Sequence, residues 1–188
     1  MEYPGMSRRE RSLLQKMDAV EKAVFTPKDV QHLLSEDISN VHRILNRLWE
    51  KKLLVRIERG KYVTTSLFNE IDLYELAAHV FEPSYISLWS ALHYYKLTTQ
   101  VPREIFLIVV KPRRNLLLNG TGFHYVSVKA PLFFGYEADG KVIVATREKL
   151  LLDCLLFPHY CGGWEEIFSC FENVDLAVSY THLTLPTN

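Results

Sequence analysis

The sequence predicts an α+β fold in two parts. Three observations lead there: three short helical patterns near the start, a basic hairpin directly after them, and then strand-like runs interleaved with helices. At 188 residues the chain suits one domain or two small ones, and 48% hydrophobic residues are enough to build real cores. Lys and Arg number 22, as do Asp and Glu. That balance conceals an asymmetry, because the segment through Ser66 holds thirteen cations against nine carboxylates and the remainder nine against thirteen. A basic module followed by an acidic one predicts different partners for the two, with DNA for the first.

The first helix is expected between Ser7 and Val20, with Leu13, Leu14, Met17 and Val20 on one face. Thr26-Pro27 then reads as an N-cap followed by proline at the first helical position, and Val30, Leu33 and Leu34 continue a short second helix. A third is expected after Ser39. Its Val41, Ile44, Leu45 and Leu48 fall within about 100° on a helical wheel and make one buried stripe. The opposite face carries Asn40, Arg43, Asn46 and Arg47, with His42 on its flank and Lys51 following. Arg pairs with guanine and Asn with adenine in bidentate fashion, each good pair giving about 1–3 kcal/mol of discrimination. Next, Leu54–Glu58 and Lys61–Thr64 flank Arg59-Gly60, a hairpin whose Arg56, Arg59 and Lys61 suit DNA phosphates. Three short helices and a basic hairpin follow the order of a winged helix-turn-helix, expected over residues 1–66.

Residues 67–177 are expected to form a mixed α/β domain. A helix through Leu73, Leu76, Ala77 and Val80 is broken by Pro83, and Ser84 is expected to cap another helix, with Tyr85, Leu88, Trp89, Leu92 and Tyr95 on its apolar face. Strands are expected at 104–110, 123–128, 132–136 and 141–145, with Asp139-Gly140 as a hairpin turn and with Leu132, Phe134 and Tyr136 alternating into the core. Thr146 then caps a helix with Glu148 in its first turn, Lys149 and Asp153 as an i,i+4 pair, and Leu150, Leu151, Cys154 and Leu155 buried.

These segments carry a resemblance. SYISLWSALHYYKLTTQVP, EIFLIVVKPRR and FFGYEADGKVIVATREKLLLD, together with the preceding helices and hairpin, resemble the AbiEi antitoxin family of type IV abortive-infection systems, over Ser7 to Ala177. PSYISLWSAL and the AT-x-EK-x-x-LLD pattern, here ATREKLLLD, are its most specific elements. The resemblance implies a DNA-binding N-terminal domain, a C-terminal antitoxin-type domain and autorepression of an operon encoding a nucleotidyltransferase-like toxin. The alternative is a winged-helix transcriptional regulator that senses a small ligand and has no toxin. In either case the expected mechanism puts the third helix in a major groove and the hairpin cations on phosphates, with a second copy on the other half of an inverted repeat about 34 Å away.

No enzyme is expected. A metal-dependent nuclease needs clustered carboxylates with a nearby lysine. The candidate strand ends Ser127-Val128-Lys129, with serine in the acid's place, and Glu148-Lys149 are adjacent on a helix. His159 and Cys161 sit in a turn context, and no phosphate-binding glycine loop is present. Cys154, Cys161 and Cys170 lack metal-site spacing and read as reduced structural thiols, so neither metal nor cofactor is expected. The longest apolar run, Phe106–Val110, is too short for a bilayer, and charged residues follow Met1 closely, so the expected location is cytoplasmic. Finally, Val178–Thr187 matches the translation of GTC TCT TAT ACA CAT CTG ACG CTG CCG ACG, a string that resembles a sequencing-library adaptor. Residues 178–188 are therefore expected to be an adaptor-derived artefact, with the natural chain truncated near Ala177.

Overall fold

The computed structural model describes residues 5–20, 22–118 and 120–172. The expected artefact at 178–188, and the truncation near Ala177, lie outside the described residues. The architecture is mixed α+β, and the chain divides into two compact units, residues 1–82 and 83–188.

In the first unit, α1 (Arg8–Ala19) opens with a capping box. Glu10 N–H donates to Ser7 Oγ at 3.2 Å while Ser7 N–H donates to Glu10 Oε2 at 2.7 Å. Thr26 and Asp29 repeat the device at the start of α2 (Pro27–Leu34), as the Thr-Pro signal predicts. Helix α3 (Ile38–Glu50) begins just before the expected point, with Asp37 as its N-cap residue. Val41, Ile44, Leu45 and Leu48 are all buried, each such side chain contributing about 1.5–3 kcal/mol. They pack with Leu13, Met17, Phe25, Val30, Leu54 and Tyr62.

Strands β1 (Leu54–Glu58) and β2 (Lys61–Thr64) form the expected antiparallel hairpin, and Gly60 takes the left-handed φ of +78° that its turn requires. A single bridge extends it. Phe25, between α1 and α2, exchanges both backbone hydrogen bonds with Tyr62, at 2.8 and 2.9 Å. Helices α4 (Thr65–Glu70) and α5 (Leu73–Val80) complete the unit. The sequence assigns these residues to a second, acidic module, but they group with the first. Their region supplies Glu70, Asp72, Glu75 and Glu82, so each unit carries equal numbers of cations and carboxylates, thirteen of each in the first and nine of each in the second.

The second unit is built on a six-stranded mixed sheet of order β5-β6-β4-β3-β8-β7. Its strands are β3 (Ser84–Ile86), β4 (Glu104–Val109), β5 (Leu116–Leu118), β6 (Thr121–Ser127), β7 (Tyr136–Asp139) and β8 (Val142–Ala145). β3 pairs antiparallel with β4 and parallel with β8, and β4 runs parallel to β6. Helices α6 (Leu88–Tyr94), α7 (Arg147–Leu156) and α8 (Trp164–Phe171) accompany it.

Three expectations fail here. Residues 84–86 form a strand, not the start of a helix, because aromatic and β-branched Tyr85 and Ile86 are hydrogen-bonded into the sheet between β4 and β8. Residues 132–136 are not a strand. Pro131 sits in a short 3-10 turn (Ala130–Leu132), and Gly135 at φ +68° breaks the extended run before β7. Leu132, Phe134 and Tyr136 are accordingly not core but 37%, 48% and 41% exposed. The third concerns α7, whose Leu155 is exposed, whereas Leu150 and Cys154 are buried as expected, together with Lys149 and Asp153.

Candidate nucleic-acid interface

Burial of the 41/44/45/48 stripe turns His42, Arg43, Asn46 and Arg47 of α3 to solvent, with Asn40 half-buried at the helix start. Asn40 is the centre of a polar chain. Its Nδ2 donates to Glu36 Oε2 at 3.1 Å, the Arg43 guanidinium donates to its Oδ1, and Glu36 pairs with Arg9 at 3.3 Å. This orients Arg43. The side chains of His42, Asn46 and Arg47 make no hydrogen bond or ion pair with a described residue, which leaves the Arg47 charge available to a partner.

The hairpin adds Arg56 and Arg59, both exposed. The Arg56 guanidinium lies 6.0 Å from the ring of Trp49, on the last turn of α3, and its Nε reaches Glu58 O at 3.4 Å. Trp49, 46% exposed, therefore joins the helix to the hairpin on this surface. It is not among the residues expected from sequence. Its position one residue beyond the buried stripe and beside the hairpin was the available signal.

Lys51 and Lys61 are placed differently. Lys51 Nζ donates to Gly5 O and to the buried Glu10 carboxylate, both at 2.8 Å, so it secures the start of α1. Burial pushes the Glu10 carboxyl up, but the Lys51 hydrogen bond and charge and the two Ser7 hydrogen bonds outweigh it and hold the group below the usual carboxylate range. Lys61 pairs with Glu58 at 2.9 Å and donates to Val80 O at the end of α5, with the Phe81 ring 5.5 Å away. Desolvation lowers the Lys61 pKa, partly opposed by Glu82. Five expected residues thus share the α3 surface, Arg56 and Arg59 stand on the hairpin, and the two lysines spend their donors inside the unit.

A cleft of about 240 Å³ in the same unit is lined by Lys22, Val24, Thr26, Lys61, His79 and Glu82. Its polar side chains are already matched: Lys22 by Asp29 at 2.7 Å, Lys61 by Glu58, and His79 by Glu82 at 3.5 Å.

The second unit holds a buried ionic cluster. Lys149 Nζ lies 2.5 Å from Asp153 Oδ1, with the two side chains 2% and 0% exposed. Asp153 Oδ2 accepts from Ser87 Oγ at 2.8 Å and from the Tyr85 hydroxyl at 3.2 Å, which ties α7 to β3 and the residue after it. The ammonium also lies 4.7 Å from the Phe134 ring. Burial, reinforced by the Asp153 charge, pushes the Tyr85 phenol far up, so it stays a donor at any working pH. With Tyr85, Ser87 and Asp153 fully buried, the cluster is a lock between helix and sheet. Among the described residues, no group of three or more His, Cys, Asp or Glu is arranged to hold a metal ion, and no helix is long and apolar enough to cross a membrane.

No protein-family model matches this chain, and no curated protein matches it.

Proposed function

We propose that the first unit is a winged helix-turn-helix that binds double-stranded DNA, and that the chain is the antitoxin and autorepressor of a type IV, abortive-infection operon encoding a nucleotidyltransferase-like toxin. The observation that carries the DNA-binding reading is α3. One face is fully buried, the other presents Asn40, His42, Arg43, Asn46 and Arg47, and a hairpin bearing Arg56 and Arg59 follows directly. Such a helix has the donors and acceptors that read base edges in a major groove, and the hairpin has the cations that hold phosphates beside it. The Phe25–Tyr62 bridge supports the same reading, since it adds a third segment to the hairpin as a small wing sheet requires. Lys51 and Lys61 act here as supports for the surface, not as contacts.

The toxin-antitoxin assignment rests on the resemblance of PSYISLWSAL and ATREKLLLD to the AbiEi family. Those residues form β3, the start of α6 and most of α7, and they include Tyr85, Ser87, Lys149 and Asp153 of the buried lock. Lys149 and Asp153 of the pattern thus have a structural role, and on this reading the protein acts by binding. The test is fluorescence-anisotropy titration of the full chain with DNA upstream of its own gene and with a scrambled duplex. The wild type should prefer the upstream DNA, and an Arg43→Ala, Arg47→Ala variant should lose the preference. Equal binding to both duplexes by the wild type would refute the reading.

A further inference from the structure

Residues 105–136 contain Lys111, Arg113, Arg114 and Lys129 but no Asp or Glu, although the second unit as a whole is charge-balanced. The sheet gathers these cations at one end. β4 and β6 pair in parallel without a break from Glu104↔Gly122 to Val109↔Ser127, and the ladder continues one step as Val128 N–H donates to Val109 O at 2.9 Å. Lys111 and Lys129 each follow the last paired residues, Val109 and Ser127, by two positions at this end of the sheet, and both are exposed. Arg114 is exposed nearby, and Arg113 is held with its guanidinium 5.5 Å from the Tyr125 ring, near the same end of β6.

The side chains of Lys111, Arg114 and Lys129 make no hydrogen bond or ion pair with a described residue. Among the described carboxylates of this unit, Glu104 is at the opposite end of β4, Glu137 and Asp139 are on the far edge strand β7, and the others are on α7 and α8 or directly after it. Glu82, the last residue of the first unit, faces His79 at 3.5 Å. Large exposed hydrophobics are absent from the described residues 109–115 and 127–131 and begin at Leu117 and Leu132, on the margins of these segments. Protein-docking sites depend on apolar anchors at their centre, whereas phosphate contacts need only Lys and Arg.

The geometry points to a second nucleic-acid contact at this end of the sheet, in which Lys111, Arg113, Arg114 and Lys129 bind the phosphate backbone of duplex DNA. It goes beyond the α3 surface and rests on the proposed function only in taking duplex DNA as the polyanion. It departs from the expectation that DNA is the partner of the first module only. Contacts of this kind add affinity and salt dependence without sequence preference.

The test compares four full-length proteins: wild type, Arg43→Ala with Arg47→Ala, Lys111→Ala with Arg114→Ala and Lys129→Ala, and all five changes together. Each is titrated with upstream and scrambled duplex across a salt series. The sheet-end variant should keep any sequence preference but show a salt slope shallower by about 1–3 in log–log units, roughly 0.9 for each phosphate no longer neutralised. A Lys111→Arg, Lys129→Arg variant should keep the wild-type slope, which separates charge from misfolding. If only the sheet-end variant changes binding, the α3 reading fails and this one stands. An unchanged slope overturns it, as does an unchanged slope accompanied by weakened binding to poly-glutamate, which would assign the surface to acidic proteins. No DNA binding by the wild type overturns both.

Discussion

Replacing Lys149 by Met leaves the Asp153 carboxylate in the interior of the second unit with only two hydroxyl donors, Ser87 at 2.8 Å and Tyr85 at 3.2 Å. Both ionic side chains are almost fully buried, so solvent cannot replace the missing ammonium, which in the wild type lies 2.5 Å away. Removing one partner of such a pair costs about 3–5 kcal/mol. Against a typical domain stability of about 5–15 kcal/mol, this is a large fraction. Asp153→Leu should cost a similar amount, since it strands an ammonium beside the Phe134 ring. The double variant should be less destabilised than the sum of the two, because it removes both charges and leaves only the two hydroxyls unpaired, at about 1–3 kcal/mol each. The assay is urea unfolding followed by tryptophan fluorescence in a Trp49→Phe background, in which the remaining tryptophans, Trp89 and Trp164, belong to the second unit. Single substitutions costing under about 1 kcal/mol, or additive effects in the double variant, would refute the account of the lock.

Further outcomes follow from other sites. Burial pushes the Glu10 and Asp29 carboxyls up, but hydrogen bonds and charge from Lys51 and Ser7, and from Lys22 and Thr26, outweigh it and leave both below their ordinary values, so the stability they contribute is complete above the unfolded carboxylate range of about 4 and is lost as pH falls through the depressed folded values. Glu10→Gln should cost about 1 kcal/mol at neutral pH and flatten the acid limb of a pH–stability curve measured by thermal unfolding. Gly135→Ala should lower the melting temperature more than Gly140→Ala, because both glycines have positive φ (+68° and +61°) but only at Gly135 would a Cβ meet Lys149 Cβ, at 2.9 Å. The strain at either site is about 1–2 kcal/mol. Cys154 and Cys161 are fully buried, and the neighbouring Cys161 thiol together with burial raises the Cys154 pKa, so the native protein should react slowly with a thiol reagent at pH 8 and the urea-unfolded chain should release three equivalents quickly.

The two units differ in how much of them was legible in the sequence. α3 was readable because its apolar residues repeat at helical spacing, and all four residues of the expected stripe are buried. β3 was not, since Ser84–Ile86 is three residues long and the adjoining helix extends its apolar pattern seamlessly. Only pairing with β4 and β8, a non-local fact, decides the matter. Helix α7 misled in the other direction. Of its expected apolar face, Leu150 and Cys154 are buried but Leu155 is exposed, while Lys149 and Asp153 lie in the interior. An i,i+4 ion pair looks identical in sequence whether it faces water or the core. At the candidate interface, residue type identified Lys51 and Lys61 as DNA-binding, but the carboxylates and carbonyls that occupy them come from positions up to 46 residues away. Periodicity along one helix cannot reveal such partners.

The central claim is that the exposed face of α3 reads DNA bases. Selection from a random duplex pool, with full-length wild type and Arg47→Ala in parallel, tests it most directly. The account predicts a defined motif for the wild type, and for Arg47→Ala the same motif with discrimination relaxed at one or two adjacent base pairs by about 1–3 kcal/mol. Absence of any enriched motif in the wild-type pool, or an identical motif at every position in the variant, would contradict it.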